Sequence, residues 1–195
     1  MTVAASLASL LVAGPASATT YSVDLAHTSV IFKVRHLVSK ATGRFAKFQG
    51  TIDIDPDKRD AVKVTGSIDV ASIDTEEPKR DAHLRGADFF DVARFPQITF
   101  SAGSLSEINA DKTKARLHGD ITIHGVTKPI VLDVEWLGTV TDPWGNKKAG
   151  FDATTTLSRK DFGLTWNKTL ETGGLLVGDE IEIELHVEVG EDKAN

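Results

Sequence analysis

The sequence predicts an all-β domain, an antiparallel sandwich or barrel of about eight strands. Three observations predict it. Apolar and polar residues alternate in one run after another, the pattern of strands with one buried face. Turn-forming clusters separate these runs. No repeat and no linker-like stretch divides the chain, so its 195 residues are read as one domain after a leader.

Residues 1–18 carry no charge. Val3–Ala13 is a short apolar run, Gly14-Pro15 breaks it, and Ala16-Ser17-Ala18 fits the small-residue cleavage pattern of a secretory signal. The run is too short for a stable membrane-spanning helix. The basic residue that ordinarily precedes such a run is missing. Residues 1–18 are therefore expected to be a signal peptide and 19–195 the mature domain, periplasmic or secreted, with no integral membrane anchor.

The strands follow in order. Ser29–His36 places Val30, Phe32, Val34 and His36 on one face and Ile31, Lys33 and Arg35 on the other. Val62–Val70 sets Val62, Val64, Ile68 and Val70 against Lys63, Thr65, Ser67 and Asp69. Ile130–Trp136 and Glu180–Val189 alternate in the same way, the latter with a glutamate on nearly every outward position. Weaker candidates are Arg44–Ile54, Gln97–Ser104, Ala115–Ile123 and Gly150–Leu157. Asp55-Pro56-Asp57, Asn109-Ala110-Asp111 and Asp142–Asn146 read as turns, and so does Gly173-Gly174.

One segment departs from the period of two. Thr75-Glu76-Glu77-Pro78 reads as a helix start with Thr75 as N-cap, Lys79–Arg85 continues it and Gly86 ends it. Leu84 and the pair Phe89-Phe90 give this connection an apolar load that water does not tolerate. It is expected to cover one end of the barrel.

Composition excludes several chemistries. There is no Cys, so thiol catalysis, disulfides and cysteine metal sites are absent. The net charge is −6, which gives no general attraction for nucleic acid. No nucleophile elbow, phosphate loop or dinucleotide fingerprint occurs. The six histidines include no H-x-H or H-E-x-x-H pair, so neither a metal nor a catalytic residue is assigned. His186 lies among outward glutamates and reads as solvated. His124 ends a strand, where imidazole commonly caps a backbone group. His36 ends an apolar face, either as a hydrogen-bonded core residue or as a ligand contact. Lys33, Arg35, Lys40, Arg44 and Lys47 cluster near Ser39–Gly43, a stretch that reads as a loop at the barrel mouth. They form either a solvated charged face or an anion-holding rim. Arg159-Lys160 is a second, smaller basic group.

Four blocks carry a family resemblance. They are Tyr21–Val30 with Phe32–Leu37; Asp81-Ala82-His83-Leu84 with Asp88–Asp91 and Phe95–Phe100; Gly119–Pro129; and Ser158–Gly163. In this order the chain resembles the YceI family of secreted, lipocalin-like proteins, from about residue 21 to 189. The resemblance implies an extended antiparallel lipocalin-like β-barrel with a short helix in the connecting region. It implies an apolar tunnel holding one polyisoprenoid or similar amphiphile, such as an isoprenoid quinone or a prenyl pyrophosphate, and often a homodimer. No other cofactor is implied.

On that reading the expected lining is Val30, Phe32, Val34, His36, Phe45, Ile68, Phe89, Phe90, Phe100, Ile121, Ile123 and Phe162. Arg35, His36 and Arg44 are the expected headgroup contacts. Gly66, Gly119 and Ala153 are expected either to leave room inside or, for the glycines, to mark bulges. The role is carriage, storage or sequestration. Two other functions fit less of the sequence: an enzyme modifying such a lipid through His36 or His124, and a dimeric interaction module with a solid core.

Overall fold

The computed structural model describes residues 19–54, 62–169 and 175–192. The expected signal segment 1–18 and the turns at Asp55-Pro56-Asp57 and Gly173-Gly174 lie outside the described residues.

Each alternating run becomes a strand because one of its faces has apolar neighbours to cover. The elements in chain order are β1 (Thr19–Val23), β2 (Ser29–His36), β3 (Ser39–Phe45), β4 (Phe48–Ile54), β5 (Val62–Asp69), β6 (Ile73–Asp74), α1 (Pro78–Arg85), β7 (Gln97–Ser106), β8 (Lys114–Ile123), β9 (Val126–Thr141), β10 (Lys147–Ser158) and β11 (Val177–Glu191). All pairings are antiparallel. Eight strands close a barrel in the order β1-β4-β5-β7-β8-β9-β10-β11, and β11 returns to β1. Closure leaves no free edge around the ring where the ladders are complete.

The long strand β11 serves two neighbours on one edge. Val189–Glu191 pairs with β1, and Val177–His186 pairs with β2. From there β2, β3 and β6 carry the wall onward at one end. Three details differ from the sequence reading. Ser39–Gly43 is not a loop but most of β3, paired to β2 through a hairpin whose turn residue Leu37 has φ 54°. Arg44–Ile54 is not one strand but two, turning at Ala46-Lys47. The cap of α1 is Glu77, whose carboxylate accepts from the backbone N–H groups of Lys79 and Arg80 at 3.2 and 2.6 Å. Pro78 takes the first helical position, where its missing N–H costs nothing, so the residue before it must be the cap. Thr75 is buried instead and donates through N and Oγ1 to Asp81, at 2.9 and 2.6 Å.

That contact docks the helix. Arg85 also donates to the carbonyls of Ala71 and Ile73, at 2.8 and 2.7 Å. Leu84, Phe90 and Val92 then pack on a buried cluster of Phe45, Val70, Ile73, Ile98, Ile121, Ile123, Phe162 and Leu164. The helix and its following turn cap this end of the barrel, as the sequence required. A second, smaller cluster of Ala102, Leu117, Leu132 and Ala153 sits further along the axis. Among the described residues, no helix is long and apolar enough to cross a membrane.

Candidate functional site

Register decides which side chains face the interior. Val30 pairs with Phe45 and Leu185, and Leu185 with Ala153. Phe45 and Ala153 are buried, so Val30, Phe32 and Val34 of β2 point inward, as do Ile181, Ile183, Leu185 and Val187 of β11. The same argument turns Val64 of β5 and Val134 of β9 inward.

These inward residues are not fully covered. Val30, Phe32, Val34, Val64, Val134, Ile183, Leu185 and Val187 are all half-buried. The most completely buried large side chains are Val70 and Ile73, in the cluster at the capped end, and Val189, further along the inward face of β11. An apolar face that keeps accessible surface still has contacts to gain.

Nine of the expected lining residues converge. Phe45, Ile121, Ile123 and Phe162 belong to the cluster at the capped end, and Val30, Phe32, Ile68, Phe90 and Phe100 pack on it. Val34 and His36 continue the same face of β2 beyond that cluster. Phe89 stands apart from the others, in an aromatic group with His83 and Trp166 at centroid distances of 5.0 and 5.1 Å.

The glycines separate into two kinds. A Cβ on Gly66 meets only the Gln49 carbonyl, at 3.6 Å, so room lies beside it. A Cβ on Gly119 lies 2.7 Å from the Ala102 Cβ and even closer to the Ser101 carbonyl, next to a register shift in β7. Gly119 is there for close backbone approach, Gly66 leaves space, and Ala153 is a buried small residue in the second cluster.

The basic residues of β2 and β3 meet the acidic strand β11 on the outside. Lys33 donates to Glu184 at 2.7 Å and Lys40 to Glu182 at 2.6 Å, while Arg44 pairs with Asp74 at 2.9 Å. The hydrogen bond from Lys33 holds the Glu184 carboxyl below its ordinary range. Arg35 and Arg44 are exposed on this outer face, opposite to the face of His36, so the three expected headgroup residues do not converge. His36 makes no side-chain hydrogen bond among the described residues. The ring of His124 contacts the Phe162 carbonyl at 3.2 Å and packs on Phe95, in the backbone-capping role expected of it.

Arg159 is buried and donates to the carbonyls of Gly178, Leu164 and Trp166 and to Asp179. It ties the segment after β10 to the start of β11. Asp24, His27 and Glu188 form the one metal-ligand-like group among the described residues. Lys148 already occupies it, 2.6 Å from Asp24 and 3.3 Å from Glu188.

One feature of the wall was not foreseen. The β9–β10 ladder stops at Asp133 and Thr154, although β9 extends back to Val126 and β10 forward to Ser158. Between these arms lie two adjoining clefts of about 340 and 460 Å³, which share Val131, Thr155 and Thr156. The Thr155 hydroxyl spans the gap to the Val131 carbonyl at 2.8 Å. Alternate residues of a strand present their backbone groups to alternate edges. The Val131 carbonyl faces the gap, so Pro129 faces it too, and proline has no N–H to pair. Ile121, Ile130, Leu157 and Phe162 line the inner side of this seam. A proline inside a strand run was the available signal, since strand prolines mark unpaired edges.

The closed eight-stranded ring, covered at one end by α1 and the turn that follows it, defines a small antiparallel β-barrel. The chain belongs to the YceI-like domain family, matched over residues 21–189. It is 39% identical over 176 residues to a UPF0312 protein of Vibrio cholerae, covering 89% of this chain and 88% of that one. A crystal structure of a Campylobacter jejuni YceI protein matches with 32% identity and a TM-score of 0.68, over 82% of this chain and 90% of that one. A domain from Saccharophagus degradans, described as polyisoprenoid-binding, shares the fold at 14% identity and a TM-score of 0.62, over 88% of this chain and 98% of that one.

Proposed function

We propose that this protein binds one long-chain polyisoprenoid, or a similar amphiphile such as an isoprenoid quinone or prenyl pyrophosphate, inside the barrel. It carries, stores or sequesters that lipid in the periplasm or outside the cell, as a binding protein rather than an enzyme, and as a monomer or homodimer. One observation carries the reading: most inward residues of β2, β5, β9 and β11 are apolar yet only half-buried, with Leu132 and Val189 the buried exceptions. Membership of the YceI-like family and the fold shared with the polyisoprenoid-binding domain support the same ligand class.

The driving force is area. Burial of apolar surface is worth about 25 cal/mol per Å², and a prenyl chain offers little else. Part of that gain is offset by ordering a flexible chain. No dedicated motif is needed, only a dry elongated space. Of the two histidines an enzyme reading would use, His124 has its ring taken up by Phe162 and Phe95.

Native mass spectrometry and organic extraction of the purified protein test the proposal. A co-purifying prenyl lipid, or stoichiometric uptake of geranylgeranyl pyrophosphate or a ubiquinone by stripped protein, is the expected result. Protein that is empty and takes up neither ligand removes it.

A further inference from the structure

We propose that the seam between β9 and β10 is a lateral portal, through which the apolar chain passes between solvent and the barrel interior. The proposal rests on the lipid-binding reading above and adds the route. The two strands part where nothing in their length requires it, after Asp133 and Thr154. Pro129 withholds an N–H at a position that would otherwise extend the ladder. A single side-chain bond, from Thr155 to the Val131 carbonyl, spans the opening. Breaking one solvated hydrogen bond costs little, so the arms separate without disturbing the ladders on their far edges.

The floor of the seam completes the path. Ile121 and Phe162 belong to the buried cluster at the capped end, and Ile130 and Leu157 pack against it. A chain entering between the arms passes a polar rim that includes Arg116, Lys128, Asp133 and Glu184 and then meets this apolar floor. The capped end is held more firmly, since α1 is tied down by the Thr75–Asp81 contact and by two hydrogen bonds from Arg85, against one across the seam.

The absence of cysteine makes the test direct, because a single introduced thiol is labelled alone. Thr156→Cys places it on the lip of the seam, Ala82→Cys on the helix cap and Ala110→Cys on the turn at the opposite end. Each variant is coupled to a polyethylene-glycol maleimide, and its fold is checked by circular dichroism and thermal unfolding. Uptake of geranylgeranyl pyrophosphate bearing a fluorescent anthraniloyl group is then followed by stopped flow. The label at Thr156→Cys is expected to slow uptake by about tenfold or more at unchanged final amplitude, because it obstructs passage and not the site. Labels at the other two positions leave the rate unchanged. Unlabelled Pro129→Val, which restores an N–H, slows uptake as well. Uptake that is unaffected by the seam label, or slowed by the label at Ala110→Cys instead, overturns the portal and leaves the binding reading standing. Failure of the unmodified protein to take up the probe at all overturns both.

Discussion

The ring of Phe32 lies where a side chain on Gly43 would have to be. The two residues are direct partners across β2 and β3, and a Cβ built on Gly43 clashes with the Phe32 Cζ. Phe32 covers its neighbour's backbone and packs at 5.6 Å on Phe45. Gly43 is thus a seat for an aromatic ring in the wall of the interior, and its backbone has no need of the left-handed region.

Gly43→Ala is therefore expected to cost about 1–3 kcal/mol, the usual range for overpacking a well-filled site. Phe32→Leu in the same chain recovers part of the loss, because it removes the nearer clash and leaves the one with Thr75. A double-mutant cycle by urea denaturation measures the coupling. Additive losses would show that ring and glycine do not share this space.

Arg159 carries the next prediction. Its guanidinium serves three carbonyls and one carboxylate while 3% exposed. Arg159→Met strands those acceptors and is expected to cost about 3–5 kcal/mol. Arg159→Lys does not rescue it, because an ammonium cannot reach four acceptors spread around a planar fork. Thermal unfolding of both variants checks this. A lysine variant as stable as the parent refutes the structural role.

The charge pairs on the outer wall predict an acid limb. Hydrogen bonds from Lys148, then from His27, hold the Asp24 carboxyl well below the usual carboxylate range. Lys160 does the same to Asp179, and Lys33 to Glu184. Folded values lie below unfolded ones, so the unfolded chain takes up protons first as pH falls. The stability these groups contribute is present above the unfolded value of about 4 and is lost progressively below it. Calorimetry is expected to show Tm steady between about pH 6 and 8 with respect to these groups and falling below about pH 5. In Lys148→Met the fall between pH 5 and 3 is smaller, since Asp24 has lost its main partner; an unchanged fall contradicts the assignment.

Legibility followed side-chain period. Ser29–His36 and the C-terminal alternation were readable because one apolar face meets one polar face, and both became strands in that register. Ser39–Phe45 was not, because its polar sequence with Gly43 takes strand form only by pairing with β2 and receiving Phe32. The basic group near residue 40 and the acidic run near residue 184 were visible separately, yet their neutralising contacts depend on β11 returning beside β2. Phe45, Phe90, Ile121 and Phe162 were singled out by their apolarity as lining candidates, but their convergence at one end depends on strand register, and the displacement of Phe89 toward Trp166 on how the turn after α1 is set. The seam was missed because the strand was read only from Ile130, which left Pro129 outside a run that in fact begins at Val126.

Gly66 and Gly119 give a paired prediction that separates space from scaffold. Both lie within strands, and both were candidates for room inside. Gly119→Ala must displace the β7 backbone at Ser101 and Ala102, a contact with no flexible side-chain end to give way. A loss of about 2 kcal/mol or more follows, with ligand affinity unchanged in whatever fraction remains folded. Gly66→Ala meets only ordinary van der Waals contact at 3.6 Å, so its stability stays within about 1 kcal/mol of the parent, and reduced freedom of the unfolded chain favours it. Gly66→Leu then acts on function. Its side chain projects from the inward face of β5 beside Val64 and Ile68 and occupies volume the prenyl chain needs. Urea denaturation is expected to find it folded, and titration with geranylgeranyl pyrophosphate to find binding weakened by about tenfold or more, the scale of a few displaced methylenes. A Gly66→Leu protein that folds and binds like the parent would place the ligand away from β5 and contradict the proposed interior site.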